Sequence, residues 1–359
     1  MSTVVSFPRL GISLTVNRVA FSIGNFDVYW YGILLGLALI TGMLYLMKNS
    51  REFGIDSDRL VDVILVGTIF GVIGSRLYYV IFSAPGEFKT IGDVLNLRNG
   101  GVAFYGAVIG GIGSAIIYCM RKKIKILPVV DMAAIGFLIG QGIGRWGNFV
   151  NQEAFGTNTN LPWGMTSDTV VNYLTSHLAS LAEKGITVDP TMPVHPTFLY
   201  ESLCCILGFI LINSYVKHRK FDGEVALVYF AWNGATRALI EGLRTDSLYI
   251  GNVRVSQLLG AVCSIISVIA ILIIRKKIKD SGNQNYLIPY GHTEACRYEL
   301  ECLDKMRAAK KENSNSSNCV DDKTVEKNEK IGGECSTDKQ QREFQKDEFD
   351  DEKTNNNDN

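Results

Sequence analysis

The stretch VSQLLGAVCSIISVIAILII, Val255–Ile274, runs for 20 residues without a charged side chain. An α-helix of that length rises about 30 Å, which matches the hydrocarbon core of a bilayer. Six upstream stretches have a similar length and character, namely Tyr29–Met47, Val63–Phe82, Gly101–Met120, Ile126–Trp146, Phe198–Val216 and Val225–Leu243. The sequence therefore predicts an all-α integral membrane protein with seven transmembrane helices.

The formal net charge of +0 conceals a division along the chain. Residues from 281 onward hold 12 basic and 18 acidic side chains, which leaves 24 basic and 18 acidic in the body. Basic clusters follow the first, third, fifth and seventh stretches, at residues 48–51, 121–125, 217–220 and 275–279. By the positive-inside bias, every odd-numbered span ends in the cytoplasm, so the N-terminus is predicted outside and the C-terminus inside.

Three regions follow from this topology. Residues 1–28 form an outer segment without signal-peptide features, and its Val, Ile and Phe alternation suggests short strands. Residues 29–277 form the membrane domain, whose outer loop 148–196 is predicted to be a small ordered head. Residues 278–359 form a charged, mostly disordered cytoplasmic tail, with helical spacing of apolar residues only at about Glu294–Lys311.

Once each span has a direction, its polar residues can be placed by depth. Most fall at the outer face: Tyr31, Arg76, Tyr105, Arg145, Glu201, Arg237, Glu241, Arg254, Ser256 and Gln257. A single arginine can snorkel, but intramembrane charge costs roughly 2.5–3.5 kcal/mol per residue unless it pairs or lines a wet cavity. The pattern therefore indicates a polar cavity open to the outer leaflet. Its arginines suit a phosphate, which at that depth implies a lipid headgroup.

Two features are interpreted as structural. The sequence Gly142–Gly147 fits G-x-G-x-x-G, but it ends an apolar span and has no strand before it, so dinucleotide binding is rejected. Such glycines, like Gly106, Gly110 and Gly113, are typical of close helix packing in membranes. Asp131, near the inner face, is expected to pair with the basic segment 121–125.

The segment GRWGNFVNQEAFG at residues 144–156 resembles the signature of bacterial prolipoprotein diacylglyceryl transferases. Further similar motifs are WYG at 30–32, GGVAFYG at 100–106, HPTFLYE at 195–201, RALIE at 237–241 and RVSQ at 254–257. The resemblance covers roughly residues 20–277. It implies transfer of a diacylglyceryl group from phosphatidylglycerol to the lipobox cysteine of a preprolipoprotein, with release of glycerol phosphate and without a cofactor.

The resemblance also implies roles for individual residues. Arg145 and Arg237 are expected to hold the phosphate, and Asn148, Glu153 and Gly156 to shape the site beside them. Glu241 lies four residues after Arg237, so it is placed to orient that guanidinium, either as a catalytic residue or as a purely structural partner.

The chain departs from the family at Tyr105, where other members carry a histidine proposed as the base. Neutral tyrosine, with a pKa of about 10, is a poor base. The thiol is therefore expected to be activated mainly by Arg145 and Arg237, with its proton leaving through Tyr105, Glu153 or water.

Two further residues have alternative roles. His195 is either part of the substrate-binding set or a cap of the fifth span. Tyr31 binds the glycerol headgroup or belongs to the interfacial aromatic belt.

The expected partners are phosphatidylglycerol, preprolipoprotein signal peptides with a lipobox cysteine, and the bilayer of the bacterial plasma membrane, but no nucleic acid. A lipid transporter or scramblase is the alternative, since it also keeps charges in a cavity. That class predicts polar residues from face to face and repeat symmetry, whereas the inner halves of the odd-numbered spans are almost entirely apolar. A catalytically inactive binding protein is a further alternative, against which the intact signature argues.

Overall fold

The computed structural model describes residues 2–24, 26–83, 88, 90–95, 100–245, 247, 249–250, 253–282 and 287–315. The predicted tail from 316 to 359 lies outside these residues. The chain divides into two compact units, Met1–Leu46 with Val130–Leu287, and Met47–Val129 with Ile288–Asn359.

Ten α-helices are present in the described part of the chain. They are α1 (Trp30–Asn49), α2 (Ser57–Phe82), α3 (Ile91–Leu95), α4 (Phe104–Arg121), α5 (Ile126–Asn151), α6 (Asp168–Glu183), α7 (Thr197–Tyr215), α8 (Glu224–Glu241), α9 (Val255–Asp280) and α10 (Glu294–Asn315). Every predicted span coincides with one of them, and α10 confirms the helix predicted near Glu294–Lys311.

Six of the helices in the described residues are long and apolar enough to cross a membrane: α1, α2, α4, α5, α7 and α9. The protein is thus a mostly helical, multi-pass membrane protein. The predicted sixth span corresponds to α8, which is not among the six. Its 18 residues include the charged side chains Glu224, Arg237 and Glu241.

Strands fill the N-terminal segment, as its alternation predicts, and short pairs occur elsewhere. They are β1 (Ser2–Phe7), β2 (Ile12–Asn17), β3 (Val19–Ile23), β4 (Phe26–Tyr29), β5 (Thr166–Ser167), β6 (Tyr249–Ile250) and β7 (Val253–Arg254). Their order is β2-β1-β5 in one sheet, and β3-β4 and β6-β7 form two hairpins, all antiparallel.

In the first unit, loop 148–196 forms an ordered head around α6. Val5 of β1 packs with the buried side chains Met165, Val170, Leu174 and Val194. Ser167 begins the helix because its hydroxyl accepts a hydrogen bond from Val170 N, which satisfies a donor that no helical carbonyl reaches. The head is therefore a small hydrophobic core shared by loop and N-terminal strand.

The first unit's long helices are joined by small residues and buried hydrogen bonds. A Cβ added to Gly234 of α8 would lie 2.4 Å from the carbonyl oxygen of Gly260 in α9. Trp232 Nε1 of α8 donates to the carbonyl of Cys204 in α7 at 3.0 Å, and its ring occupies the space beside Gly208. Close backbone approach of this kind is how apolar helices associate in lipid.

Asp131 has a different partner from the one that the sequence suggests. Its carboxylate oxygens accept hydrogen bonds from the backbone N–H groups of Gly223 and Ala226, each at 2.8 Å. These N–H groups lie at the start of α8, where helical donors have no carbonyl partner. Asp131 therefore caps α8 from α5, instead of pairing with segment 121–125.

In the second unit, α2 and α4 pack through facing glycines. A Cβ on Gly106 would lie 2.2 Å from the carbonyl oxygen of Gly74, and one on Gly110 would lie 2.3 Å from that of Phe70. The predicted packing role is thus confirmed for Gly106 and Gly110. It is wrong for Gly113, where a Cβ would meet no atom within 4 Å.

The same unit contains α10, which contacts the connection between α1 and α2. Arg307 Nη2 lies 2.5 Å from the buried Asp56, and Arg59 Nη1 lies 2.7 Å from Glu299. Cys296 is buried against Gly54, where an added Cβ would lie 2.5 Å from the cysteine sulfur. This part of the predicted tail is therefore an ordered helix held by ion pairs and close packing.

Candidate active site

A buried carboxylate in α7 is the centre of the charged cluster in the first unit. Glu201 Oε2 lies 2.8 Å from Arg145 Nη1, and its Oε1 lies 2.9 Å from Arg237 Nη1 and 3.6 Å from Arg244 Nη1. The Glu201 side chain is 7 % exposed. One carboxylate therefore joins guanidinium groups that belong to α5, α8 and the segment after α8.

The second carboxylate, Glu241, extends this cluster along α8. Its Oε2 lies 2.8 Å from Arg237 Nη2, at the i, i+4 spacing that the sequence indicated. Arg254, at the end of β7, donates from Nη1 to the backbone carbonyl of Glu241 at 2.9 Å and from Nε to the Tyr249 hydroxyl at 2.6 Å. Arg237 is thus held by two carboxylates, and its side chain remains 30 % exposed.

Arg145 is placed by the packing of the last two turns of α5. The Ser202 hydroxyl donates to the carbonyl of Gly142 at 2.9 Å, and a Cβ on Gly142 would lie 3.3 Å from Cys205 Cβ. This contact brings α5 against α7 one turn before Arg145. The glycine at 142 therefore serves helix packing, which agrees with the rejection of a dinucleotide site.

Tyr31, the second residue of α1, packs on the same end of α5. A Cβ on Gly147 would lie 2.6 Å from Tyr31 Cδ2, so no larger residue fits between the ring and the helix. The ring is 37 % exposed. Tyr31 and Arg145 therefore flank the same helical turn.

The segment after α5 has a strained backbone. Gln152 and Ala154 both have φ of +56°, in the left-handed region that costs non-glycine residues roughly 1–3 kcal/mol. Between them, Glu153 Oε1 accepts a hydrogen bond from Asn148 Nδ2 at 2.8 Å. Such strain is typical of functional sites, and here it turns Glu153 back onto Asn148.

Gly156 lies where three segments meet. Its N–H donates to the carbonyl of His195 at 2.9 Å, and Thr157 N donates to the carbonyl of Leu243 at 2.7 Å. A Cβ on Gly156 would lie 2.7 Å from His195 Cβ and 2.9 Å from Leu243 O. Only glycine fits this junction, which fixes the segment that carries Arg244 against the head.

The imidazole of His195 is engaged within the head. Trp163 Nε1 donates to the Tyr200 hydroxyl at 2.7 Å, and that hydroxyl lies 3.1 Å from His195 Nδ1. Because an indole N–H can only donate, the Tyr200 oxygen accepts from Trp163, and it shares a further hydrogen bond with His195 Nδ1. Burial lowers the pKa of His195 below its ordinary value. The helix α7 has Pro196 as its N-cap residue and no side-chain cap, so the capping alternative for His195 is wrong. The imidazole instead bonds to the Tyr200 side chain within the head.

Tyr105 and Arg76 belong to the second unit. Tyr105, in the first turn of α4, is 67 % exposed, and its ring centroid lies 6.3 Å from that of Tyr78. Arg76 is buried and donates to the carbonyls of Asp93, Val94, Gly100 and Gly101. Its guanidinium therefore organises the connection that leads into α4.

The structure thus brings together Arg145, Arg237 and Glu241 in one charged cluster, with Tyr31, Asn148, Glu153 and Gly156 around the end of α5. Sequence reasoning missed two residues of this cluster, Glu201 and Arg244. Glu201 is among the residues predicted at the outer face but has no role in that prediction. The signal that Arg244 offered is a basic residue three positions after Glu241. Three arginines pair with the carboxylates of Glu201 and Glu241, and Arg254 bonds to the backbone carbonyl of Glu241. Guanidinium groups gathered in this way are suited to a phosphate.

Comparison with known proteins identifies the family that this chain resembles. A family model described as prolipoprotein diacylglyceryl transferase matches residues 18–274. The phosphatidylglycerol--prolipoprotein diacylglyceryl transferase of Finegoldia magna is 39 % identical over 270 residues, which cover 75 % of this chain and 100 % of that protein. The protein of the same name from Clostridioides difficile is 36 % identical over 266 residues, covering 74 % and 98 %.

The family match and the relatives cover the segments that carry the charged cluster, and they do not support the transporter alternative. This chain belongs to the prolipoprotein diacylglyceryl transferase family.

Proposed function

We propose that this protein transfers the diacylglyceryl group of phosphatidylglycerol to a cysteine thiol of a prolipoprotein. The observation that carries the proposal is the buried Glu201, which joins Arg145 and Arg237 at 2.8 and 2.9 Å in a chain of this family. Two guanidinium groups held at a fixed separation form a ready anion site, because they need no rearrangement when charge develops.

The reaction replaces a C–O bond by a C–S bond. The cysteine sulfur attacks the glycerol carbon that is bonded to the phosphate oxygen, the diacylglyceryl thioether forms, and glycerol phosphate leaves with the bonding electron pair. The thiol proton is lost to an acceptor or to water. Two needs follow: a thiol of pKa about 8.5 must ionise, and the departing phosphate must be stabilised.

Arg145 and Arg237 hold the departing phosphate in this proposal, and Glu201 and Glu241 orient them. Both arginine side chains retain partial exposure, 27 % and 30 %, so a ligand can reach them, whereas both carboxylates are buried. Arg244 and Arg254 add positive potential. That potential also favours the thiolate, because an opposite charge nearby lowers the pKa of a thiol.

Tyr31, Asn148, Gly156 and His195 complete the substrate-binding set, and Glu153 belongs to the catalytic residues. Support comes from the contact of Tyr31 with Gly147 and from the bond of Asn148 to Glu153. Gly156 and His195 contribute indirectly. The hydrogen bond between their backbones belongs to the junction that holds Leu243, and so the neighbouring Arg244, in place. The proton leaves through Tyr105, Glu153 or water, with electrostatic activation as the dominant effect.

The membrane arrangement follows the sequence prediction of seven spans. The sixth of these spans is α8, which we add to the six apolar helices. Its charged residues are engaged at both ends, Glu224 with Arg275 Nε at 2.6 Å and Arg237 with the carboxylates. Paired charges lower the cost of insertion. We place residues 1–28 and the head at 148–196 outside, and residues 278–359 in the cytoplasm.

The acceptor is the lipobox cysteine that follows a preprolipoprotein signal peptide, and the membrane is the bacterial plasma membrane. The names of the relatives support the two substrates, phosphatidylglycerol and prolipoprotein. A site at the outer face would suit an acceptor whose cysteine has crossed the membrane.

The test is mass spectrometry of a lipobox peptide incubated with purified protein in phosphatidylglycerol vesicles. A diacylglyceryl adduct on the cysteine, together with released glycerol phosphate, is the expected result. The matched control is a peptide with serine in place of cysteine. An unmodified peptide, or movement of lipid between leaflets without an adduct, would overturn the proposal in favour of a binding or transport role.

A further inference from the structure

The β3–β4 hairpin has one apolar and one polar face. Phe21 pairs with Val28 and Ile23 with Phe26 in the antiparallel register, so these four side chains share a face. Ser22 and Asp27 pair on the opposite face, where the serine hydroxyl donates to the carboxylate at 2.6 Å. The hairpin is therefore amphipathic across its thickness.

The apolar face is strongly exposed within the described structure. Phe21 is 52 % and Ile23 68 % exposed, and Phe26 is 53 % exposed. Leu35 and Leu37 of α1, which lie in a candidate membrane span, are 48 % and 50 % exposed. The exposed fractions of these hairpin residues are thus as high as those of apolar residues in a candidate membrane span.

The position of the hairpin fits the membrane interface. β4 ends at Tyr29 and α1 begins at Trp30 without an intervening residue. Tyr29, Trp30 and Tyr31 form an aromatic triplet of the kind that marks the boundary between lipid and water. Phe26 is four residues from Trp30, about 14 Å at most along an extended strand, so the hairpin lies at interfacial depth or close to it.

The base of the hairpin is fixed to the helix that carries Arg145. Trp30 N donates to the carbonyl of Arg18 at 3.0 Å, and Arg18 Nη2 donates to the carbonyl of Asn151 at 2.8 Å. Asn151 is the last residue of α5. A hairpin immobilised in the interface would therefore also hold the end of α5 at a constant depth.

We infer that the β3–β4 hairpin lies in the membrane interface, with Phe21, Ile23, Phe26 and Val28 against lipid and Ser22 and Asp27 toward water. A two-stranded hairpin is marginally stable in water by itself, and burial of four apolar side chains in lipid supplies what a covering sheet would supply elsewhere. The partner is the bilayer itself, independent of any particular headgroup.

The test is photocrosslinking in the full chain with native cysteines. The photoreactive residue p-benzoylphenylalanine replaces Phe21, Ile23 or Ser22 in separate variants, with Leu35 as the reference for a lipid-facing position. Each protein is reconstituted in phosphatidylcholine vesicles, so that the outcome does not depend on catalysis, and irradiated. Intact mass then reports adducts of one phospholipid, and only variants that keep the wild-type unfolding temperature are compared.

Lipid adducts at positions 21, 23 and 35, with several-fold less at position 22, are expected. Adducts at 35 alone would overturn the inference. So would equal yields at 22 and 23, or a doubled protein mass from positions 21 and 23, which would indicate contact with a second copy.

Discussion

At the scale of the residue, Arg145 and Arg237 are both paired with the Glu201 carboxylate, which fixes the positions of their guanidinium groups. We expect Arg145→Lys and Arg237→Lys each to lose most activity, because an ammonium is a point charge and cannot replace a planar two-donor group. Specific activity of purified, folded protein toward the lipobox peptide is the measurement. Turnover near wild type in both variants would refute the phosphate-holding role.

Glu201 permits a sharper test, because the chain offers a matched control. Glu201→Gln removes the charge that holds three arginines, and a loss of about 10- to 100-fold in activity is expected from charge-assisted bonds of roughly 1.5–3 kcal/mol. Glu224, the first residue of α8, is also buried, and it is paired with Arg275 away from the cluster around Glu201. Glu224→Gln should lower the unfolding temperature yet keep the activity per folded molecule. Equal losses of activity in both variants would reduce Glu201 to a purely structural partner.

Tyr105 tests whether this chain needs a base at that position. If the arginines activate the thiol, Tyr105→Phe retains measurable activity, reduced about 10- to 100-fold by the loss of a hydrogen bond. Tyr105→His should also be active, and more so as pH rises from about 5 to 8, because the neutral imidazole is the form that accepts a proton. The pH–rate profile measures this. A Tyr105→Phe variant that folds normally and is as inactive as the arginine variants would make the hydroxyl the proton carrier.

At the scale of the element, α10 lies outside the region that matches the family, since that match ends at residue 274. Its Arg307 lies 2.5 Å from the buried Asp56, which also accepts a hydrogen bond from Arg59 N at the start of α2. Removing residues 285–359 would expose that carboxylate and the space beside Gly54. The helix therefore supports the connection between α1 and α2.

We expect the truncated protein to keep its specific activity, because the proposed site belongs to residues of the family core. Its unfolding temperature should fall, and Arg307→Ala alone should reproduce part of that fall. The expected loss in the free energy of unfolding for this variant is of the order of 1–3 kcal/mol, because a charge-assisted bond to a buried group is removed. Thermal unfolding and peptide turnover on the same samples are the two measurements. Loss of turnover without loss of stability would assign the tail a part in catalysis.

At the scale of the whole molecule, topology is separable from chemistry. In a cysteine-free background, Asp168→Cys at the start of α6 should react with an impermeant maleimide from outside the cell, and Lys122→Cys after α4 should react only after permeabilisation. The reason is the positive-inside bias of segment 121–125. Reaction of position 122 from outside would invert the arrangement and place the cluster at the opposite face.

The sequence by itself determined the helices and the family. Long apolar stretches must form helices in lipid, because backbone groups have no water to bond, and every predicted span coincides with a helix. The motif at 144–156 and its companions identified the family that comparison confirms. Both signals are local in the chain, which is why they can be read without a structure.

Only the tertiary structure decided which charges meet. Glu201 is one acidic residue in an apolar stretch, and its three guanidinium partners come from positions 145, 237 and 244. Asp131 bonds to the start of α8 instead of to the basic segment near it in sequence. A Cβ added to Gly113 would meet no atom of the described residues within 4 Å, whereas one on Gly110 would touch α2. A buried charge takes whichever partner the packing of distant helices delivers, so the physical reason is that desolvated ion pairs are set by three-dimensional contact and not by distance along the chain.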